Sequence, residues 1–187
     1  FESALAGGIT ASGADVYLLH VTTTPCVSYI TRTEKFDCGI MISASHNPYF
    51  DNGIKLMNRD GEKMEDDVQA MIEKYIDGEI SDVKWATEAA IGQRIDYYEG
   101  RDKYVGYLIG VAPVSFEGMK VALDCANGAS SNIAKAVFDA LGAKTYVINN
   151  QPDGLNINTN CGSTHMEQLQ EYVKTSGVEC GFAFDGD

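Results

Sequence analysis

Residues 39–48 read Gly-Ile-Met-Ile-Ser-Ala-Ser-His-Asn-Pro, and this stretch is the most informative part of the chain. Its first four residues are apolar and partly β-branched, which predicts a buried strand. Its last residues and Asp-Asn-Gly at 51–53 are turn signals, and a second short strand is predicted to start at Ile54. Ser45 is therefore predicted to lie on a tight loop at the end of a core strand, where scaffolds hold reactive side chains. A hydroxyl there, with an imidazole and a nearby lysine, suits group transfer at an oxygen nucleophile.

The residue types of this loop alone leave its chemistry open. Ser, Asn and Pro are ordinary turn residues, and a serine in such a loop usually hydrogen-bonds the local backbone. His46 is a poor base for Ser45, because adjacent residues in an extended segment point to opposite sides. The Gly-x-Ser-x-Gly elbow of hydrolases does not surround this serine.

The composition describes an acidic chain with enough apolar residues for a packed core. Of 187 residues 44% are apolar, and 14 Lys+Arg against 27 Asp+Glu give a net charge of −13. This charge argues against nucleic acid or an anionic membrane surface as a partner. The absence of a run of about 18 apolar residues and of a signal peptide leads us to expect a soluble cytoplasmic protein. Reduced thiols are expected rather than a zinc site or disulfides, because the five cysteines are scattered and lack Cys-x-x-Cys pairs (Cys26, Cys38, Cys125, Cys161, Cys180).

The first half of the chain is predicted to alternate helices and strands. A helix closed by glycine near residue 13, a strand at 15–19, a helix from Thr24 and a hairpin turn at Asp60-Gly61 are expected. An aromatic-rich helix is expected between residues 88 and 113. Apolar residues at helical spacing also predict a helix that packs one face into the core (Met64, Val68, Met71, Ile72, Tyr75 and Ile76).

The second half predicts a mainly parallel sheet with right-handed crossovers. Strands at 119–123, 145–148 and 180–184 alternate with helices at 132–141 and 164–175. Ser163 or Thr164, with Glu167, fits an N-cap and capping box for the last helix. Asn127 and Gly128 follow a strand and precede a helix, so their N–H groups could bind an anion. Packing at that turn explains these two residues equally well, and we expect a structural role. We place the domain boundary near residue 112.

Asp185 and Asp187 follow a four-residue apolar strand, with one glycine between them. Residues i and i+2 of an extended segment face the same side, so both carboxylates can converge on one point. Paired oxygen ligands at the carboxyl end of a strand suit Mg²⁺, which completes its shell with water or phosphate. Acidic loop ends are common, so this pair alone is weak evidence for a metal site.

Five stretches together resemble the α-D-phosphohexomutase superfamily, in that family's order and roughly its spacing across nearly the whole chain. The stretches at 152–158 and 161–164 (Pro-Asp-Gly-Leu-Asn-Ile-Asn and Cys-Gly-Ser-Thr) favour the branch that acts on glucosamine phosphates. The other three are the serine loop with Asp-Asn-Gly-Ile-Lys at 51–55, Asp-Cys-Ala-Asn-Gly-Ala at 124–129, and Phe-Asp-Gly-Asp at 184–187.

The resemblance implies two tandem α/β domains with mixed or mainly parallel sheets flanked by helices, truncated at both ends. Residues 1–112 would be most of domain 1, with the phosphoserine loop, and residues 113–187 most of domain 2, ending within the metal-binding loop. The third aspartate of that loop and the arginine after it would follow residue 187. These 187 residues alone are therefore expected to be inactive.

The resemblance also implies site residues and a reaction. Ser45 would carry the phosphate, with Lys55 for proton transfer or phosphate charge and His46 supporting the phosphoryl group. Ser45, Asp185 and Asp187 would hold Mg²⁺. A phosphorylated hexosamine, glucosamine 6-phosphate, would become glucosamine 1-phosphate through a 1,6-bisphosphate intermediate.

Two other functions remain open at this point. A mannose or glucose phosphomutase of the same superfamily would share the chemistry. A phosphatase of the haloacid dehalogenase type would use Asp185 as the nucleophile, although its motif normally lies near the start of a domain. A folded piece without activity is the third possibility.

Overall fold

The computed structural model describes residues 1–81 and 83–187, and those residues form six α-helices, seven strands and two short 3₁₀ turns. In chain order they are α1 (Glu2–Ala11), β1 (Val16–Leu18), α2 (Thr24–Thr33), β2 (Gly39–Ser43), β3 (Gly53–Met57), α3 (Asp66–Ile76), β4 (Arg94–Asp96), α4 (Tyr98–Val111), β5 (Lys120–Asp124), α5 (Ala134–Ala140), β6 (Lys144–Ile148), α6 (Glu167–Ser176) and β7 (Cys180–Ala183), with the 3₁₀ turns at Glu88–Ala90 and Ala129–Asn132. The predicted α/β fold class is confirmed.

The chain divides into two compact units, and each unit is made of three separate segments of the sequence. The first unit holds Phe1–His20, Val27–Ile42 and Lys55–Gly100. The second holds Val21–Cys26, Ser43–Ile54 and Arg101–Asp187. The division of the chain at residue 112 stays a prediction.

The first unit contains one small pair of strands and most of a second pair. β1 and β4 are parallel, and β2 pairs with β3. The Asp60-Gly61 turn is as predicted: the Asn58 N–H donates to the Glu62 carbonyl at 2.9 Å, and Gly61 has φ +74°. Sequence reasoning missed β4, because three residues with a charge at each end carry no strand pattern.

The prediction that the apolar stripe of α3 lies in the core is wrong. None of the α3 residues is buried, and Met71 and Ile76 are 62% and 74% exposed. The spacing correctly predicted the helix, since α3 covers most of the stripe. A periodic pattern identifies one face of a helix, however, and carries no information about what packs against it.

The second unit is built on a parallel three-stranded sheet in the order β6-β5-β7. Successive side chains of the central strand β5 point to opposite faces. Val121 and Leu123 therefore pack with Ala134 of α5, while Ala122 packs with Leu169 of α6.

Among residues 1–81 and 83–187, none of the helices has the length and hydrophobicity that spanning a bilayer requires.

The predicted capping box of α6 is wrong. The helix begins at Glu167, Met166 is its N-cap residue, and its side chain makes no capping hydrogen bond. The segment ahead of the helix is held in other contacts. The Ser163 N–H donates to the Phe184 carbonyl at 2.9 Å, and the Gly162 N–H to Asp124 Oδ2 at 3.0 Å. These bonds make residues 162–163 part of a loop at the sheet edge.

Candidate functional site

Ser45 lies on a constrained turn directly after β2, in the second unit. Its φ of +55° is in the left-handed region, which is uncommon for a residue other than glycine. The Ser45 N–H donates to Ser43 Oγ at 2.8 Å, and the Asn47 N–H donates to the Ala44 carbonyl at 3.0 Å. The tight loop predicted from the sequence is therefore present, and its backbone is held by two local hydrogen bonds.

Asp185 and Asp187 reach this loop from the end of β7. Ser45 Oγ donates to Asp185 Oδ2 at 3.2 Å, across 140 positions of sequence. Asp187 Oδ2 accepts from Ser43 Oγ at 2.5 Å and from Thr24 Oγ1 at 3.0 Å. All five residues belong to the second unit. Both carboxylates thus contact the serine loop, Asp185 at Ser45 and Asp187 at Ser43.

Asn158 also contacts the loop, and sequence reasoning gave it no role. Its side-chain Nδ2 donates to the carbonyls of Ser45 and Asn47, at 2.8 and 2.9 Å. Asn158 is buried and has φ +58°, a conformation that asparagine tolerates better than most residues. Its only signal in the sequence is its place in the stretch 152–158, which resembles the phosphohexomutases.

The turn after β5 uses its N–H groups within the protein. The N–H groups of Asn127, Gly128 and Ala129 donate to the carbonyls of Asn149, Cys125 and Gly186, at 2.6, 2.8 and 2.9 Å. A Cβ at Gly128 would lie 2.4 Å from the Gly186 carbonyl oxygen, so only glycine fits at this position. These contacts favour the structural interpretation of the turn over an anion site.

The other two predicted site residues flank the serine in the sequence. His46 follows it directly, and its side chain is exposed. Lys55 is half-buried on β3 and belongs to the first unit.

The cysteines are poor candidates for the chemistry. All five thiols are free. Burial raises the pKa of the Cys125 thiol to about 11 and also raises the pKa of Cys161. Near neutral pH these two thiols stay protonated, whereas the thiolate is the reactive form.

The side-chain atoms of Asp185, Asp187 and their hydrogen-bond partners, which could bind a metal, are all oxygens. They are the carboxylates of Asp185 and Asp187 and the hydroxyls of three residues (Thr24, Ser43 and Ser45). This set fits Mg²⁺, which prefers hard oxygen ligands and needs few from the protein. In the part of the chain that the structure describes, no group of three or more His, Cys, Asp or Glu side chains could hold a metal ion. A metal here would use the two carboxylates and hydroxyl or external oxygens.

Comparison with known proteins identifies both halves of the chain. Residues 1–82 match the family model of the phosphoglucomutase/phosphomannomutase alpha/beta/alpha domain I, and residues 102–187 match that of domain II. A phosphoglucosamine mutase of Lachnospira eligens is 63% identical over all 187 residues, and the chain spans 42% of that relative's length.

Two solved structures resemble the chain. A phosphoglucomutase/phosphomannomutase family protein of Burkholderia thailandensis has a TM-score of 0.80 and 28% identity, over 100% of this chain and 41% of that one. The N-acetylphosphoglucosamine mutase of Aspergillus fumigatus, in complex with GlcNAc-6P and magnesium, has a TM-score of 0.56 and 18% identity. That match covers 98% of this chain and 46% of the fungal one, and it shows a shared fold.

Proposed function

The chain belongs to the phosphoglucomutase/phosphomannomutase family, and from this premise we propose that it is part of a phosphoglucosamine mutase. The full-length enzyme would interconvert glucosamine 6-phosphate and glucosamine 1-phosphate. The choice of sugar rests on the 63% identical relative of that name.

One observation carries the proposed chemistry: Ser45 Oγ lies 3.2 Å from Asp185 Oδ2, in a loop whose Ser43 also contacts Asp187. A serine on a strained turn beside two carboxylates has little reason to be there for packing, because serine and aspartate side chains offer little apolar surface. Strained backbone is retained where the surroundings over-determine it, and such positions cluster at functional sites.

Ser45 would carry a phosphoryl group in the resting enzyme. A sugar hydroxyl oxygen would attack the phosphorus, so that a P–O bond to the sugar forms while the P–Oγ bond to Ser45 breaks. The hydroxyl proton would pass to a base, and Ser45 would leave as the alkoxide or alcohol. Transfer of the other phosphate of the 1,6-bisphosphate back to Ser45 would complete the cycle. Lys55 is assigned proton transfer or neutralisation of phosphate charge, and His46 is assigned support of the phosphoryl group.

Asp185, Asp187 and the Ser45 oxygen would hold Mg²⁺, which when bound would neutralise charge on the phosphoryl group. The all-oxygen donor set and the magnesium in the fungal neighbour support this assignment. Asp185 would also fix the direction in which the Ser45 oxygen points, because it accepts the hydrogen bond of that hydroxyl in the unphosphorylated state.

A coupled assay on the full-length protein tests the proposal. We expect turnover of glucosamine 1-phosphate that exceeds turnover of the mannose and glucose 1-phosphates, and phosphopeptide mapping that places phosphate on Ser45 rather than Ser43. Preference for mannose or glucose phosphate would overturn the choice of sugar and leave the mutase chemistry standing.

The phosphatase alternative makes a different product. With Asp185 as nucleophile, a phosphoryl group would form an aspartyl phosphate and be released to water. Accumulation of inorganic phosphate without isomerised sugar, lost on changing Asp185 but kept in Ser45→Ala, would favour that function over the mutase.

A further inference from the structure

We propose that Asn158 is a positioning residue for the phosphoryl transfer assigned to Ser45, and that its side-chain amide fixes the serine loop against the Asp185–Asp187 segment. This inference rests on the proposed function. It adds to that function a residue that has no reactive group and no place in the predicted metal set.

The amide of Asn158 uses both of its hydrogens on one short loop. Nδ2 donates to the Ser45 carbonyl at 2.8 Å and to the Asn47 carbonyl at 2.9 Å, which are two residues apart. A single planar amide that bridges two carbonyls holds them at one separation. It therefore fixes the curvature of the loop on either side of His46.

Asn158 is itself held firmly, so the restraint acts on the loop. Its exposed fraction is 8%, and its N–H donates to the Ala126 carbonyl at 2.9 Å. That carbonyl follows β5, the buried central strand of the sheet. The backbone of Asn158 is therefore anchored directly after the buried central strand of the second unit.

The same amide lies against the acidic segment. A Cβ built on Gly186 would lie 2.7 Å from Asn158 Nδ2 and 2.7 Å from the Ser45 carbonyl oxygen. The backbone between Asp185 and Asp187 is thus in close contact with both the amide and the loop. One side chain connects the predicted phosphoryl carrier to the predicted metal carboxylates.

Loss of this restraint should affect the chemistry more than binding. The loop's own hydrogen bonds leave Ser45 in a left-handed conformation that needs outside support. A displacement of about 1 Å at a reacting group can lower a rate by about 10²-fold. Sugar binding does not require the Ser45 oxygen to be aligned, so KM should change much less than kcat.

The test is Asn158→Asp in the full-length enzyme, an isosteric change that places an acceptor against two carbonyl oxygens. We expect kcat to fall by about 10²-fold with KM within about threefold of the parent. Asn160→Asp is the matched control: Asn160 is exposed, has φ +52°, and undergoes the same chemical change. Its kcat should equal that of the parent.

Circular dichroism and thermal unfolding of each variant show whether it folds. If Asn158→Asp does not fold, Asn158→Gly replaces it, because glycine keeps the left-handed backbone and removes only the amide. The proposal is overturned by a folded variant with kcat within threefold of the parent, by a loss carried by KM, or by failure of both variants to fold. A parent enzyme without mutase turnover would instead contradict the proposed function.

Discussion

The serine loop at residues 43–47 and helix α3 (Asp66–Ile76) are held by different kinds of contact. The loop is fixed by hydrogen bonds from residues more than 100 positions away: Ser45 contacts Asp185, and Asn158 contacts the Ser45 carbonyl. The helix has no buried residue, and its Ile76 is 74% exposed. One region has many specific restraints and little apolar burial, and the other has an apolar face with little packed against it.

The two regions differ in what determines the conformation of the backbone. The shape of α3 follows from hydrogen bonds within the helix, so the periodicity of its sequence predicts the helix without reference to its neighbours. The left-handed Ser45 conformation is unfavourable locally and exists because distant groups enforce it. Substitutions in the serine loop and its partners should therefore change activity or stability strongly, and substitutions on the exposed face of α3 should change them little.

The largest effect is expected for Ser45→Ala in the full-length enzyme. Removing the oxygen that would carry the phosphate should lower mutase turnover by at least about 10³-fold. The melting temperature should fall by no more than a few degrees, because the variant loses one hydrogen bond to Asp185 and little packing. Steady-state kinetics and thermal unfolding measure both quantities. Ser81→Ala, at an exposed serine, is the control and should retain parent activity. Turnover of Ser45→Ala close to that of the parent would show that another group carries the phosphoryl.

The next effect is expected for Asp185→Asn. The amide keeps the shape of the side chain but removes the negative charge, so we expect kcat to fall by about 10²-fold and the Mg²⁺ concentration for half-maximal activity to rise. Activity measured across a Mg²⁺ titration gives both values. Asp153→Asn, at an exposed aspartate of the same unit, should leave the titration unchanged. Equal Mg²⁺ dependence in Asp185→Asn and the parent would remove Asp185 from the metal set.

Some features of the serine loop could be predicted from the sequence, and others could not. The strand that ends at Ser43, the turn after it and the i, i+2 pair of Asp185 and Asp187 have local signals, and each was found. Asn158 was missed because its role depends on a contact across 113 positions, to the Ser45 carbonyl. A local sequence pattern does not predict which distant carbonyl will accept a hydrogen bond from an asparagine side chain.

Two further errors have the same origin. The capping box expected at Ser163 was displaced by that residue's hydrogen bond to the Phe184 carbonyl. The stripe of α3 was assigned to the core because its spacing is regular, although spacing says nothing about a partner. In both cases the local pattern carried no information about the neighbour in space; the helix of α3 was nevertheless predicted correctly, whereas the start of α6 was not.

A smaller effect is expected for Gly186→Ala, measured as stability. The added Cβ would lie 2.7 Å from Asn158 Nδ2 and from the Ser45 carbonyl oxygen, so backbone must move. We expect a loss of about 1–3 kcal/mol in the free energy of unfolding, as for other overpacked sites. Gly106→Ala is the control, because nothing lies within 4 Å of its Cβ position and it is in helix α4. That change should stabilise the chain by up to about 1 kcal/mol. Equal effects of the two substitutions would mean that the serine loop and Gly186 are not in contact.

The smallest effect is expected for Ile76→Ser on α3. A side chain that is 74% exposed buries little apolar surface, so its replacement should change the free energy of unfolding of the 187-residue chain by less than about 0.5 kcal/mol. Urea unfolding of the parent and the variant measures this difference. Ile30→Ser is the matched control, because Ile30 is 1% exposed and the same change there should cost several times more. A loss above about 1.5 kcal/mol in Ile76→Ser would show that the face of α3 is covered in solution. The contrast between the hydrogen-bonded serine loop and the exposed helix would then fail for the helix. The apolar face of α3 would lie in a core, as its spacing predicts.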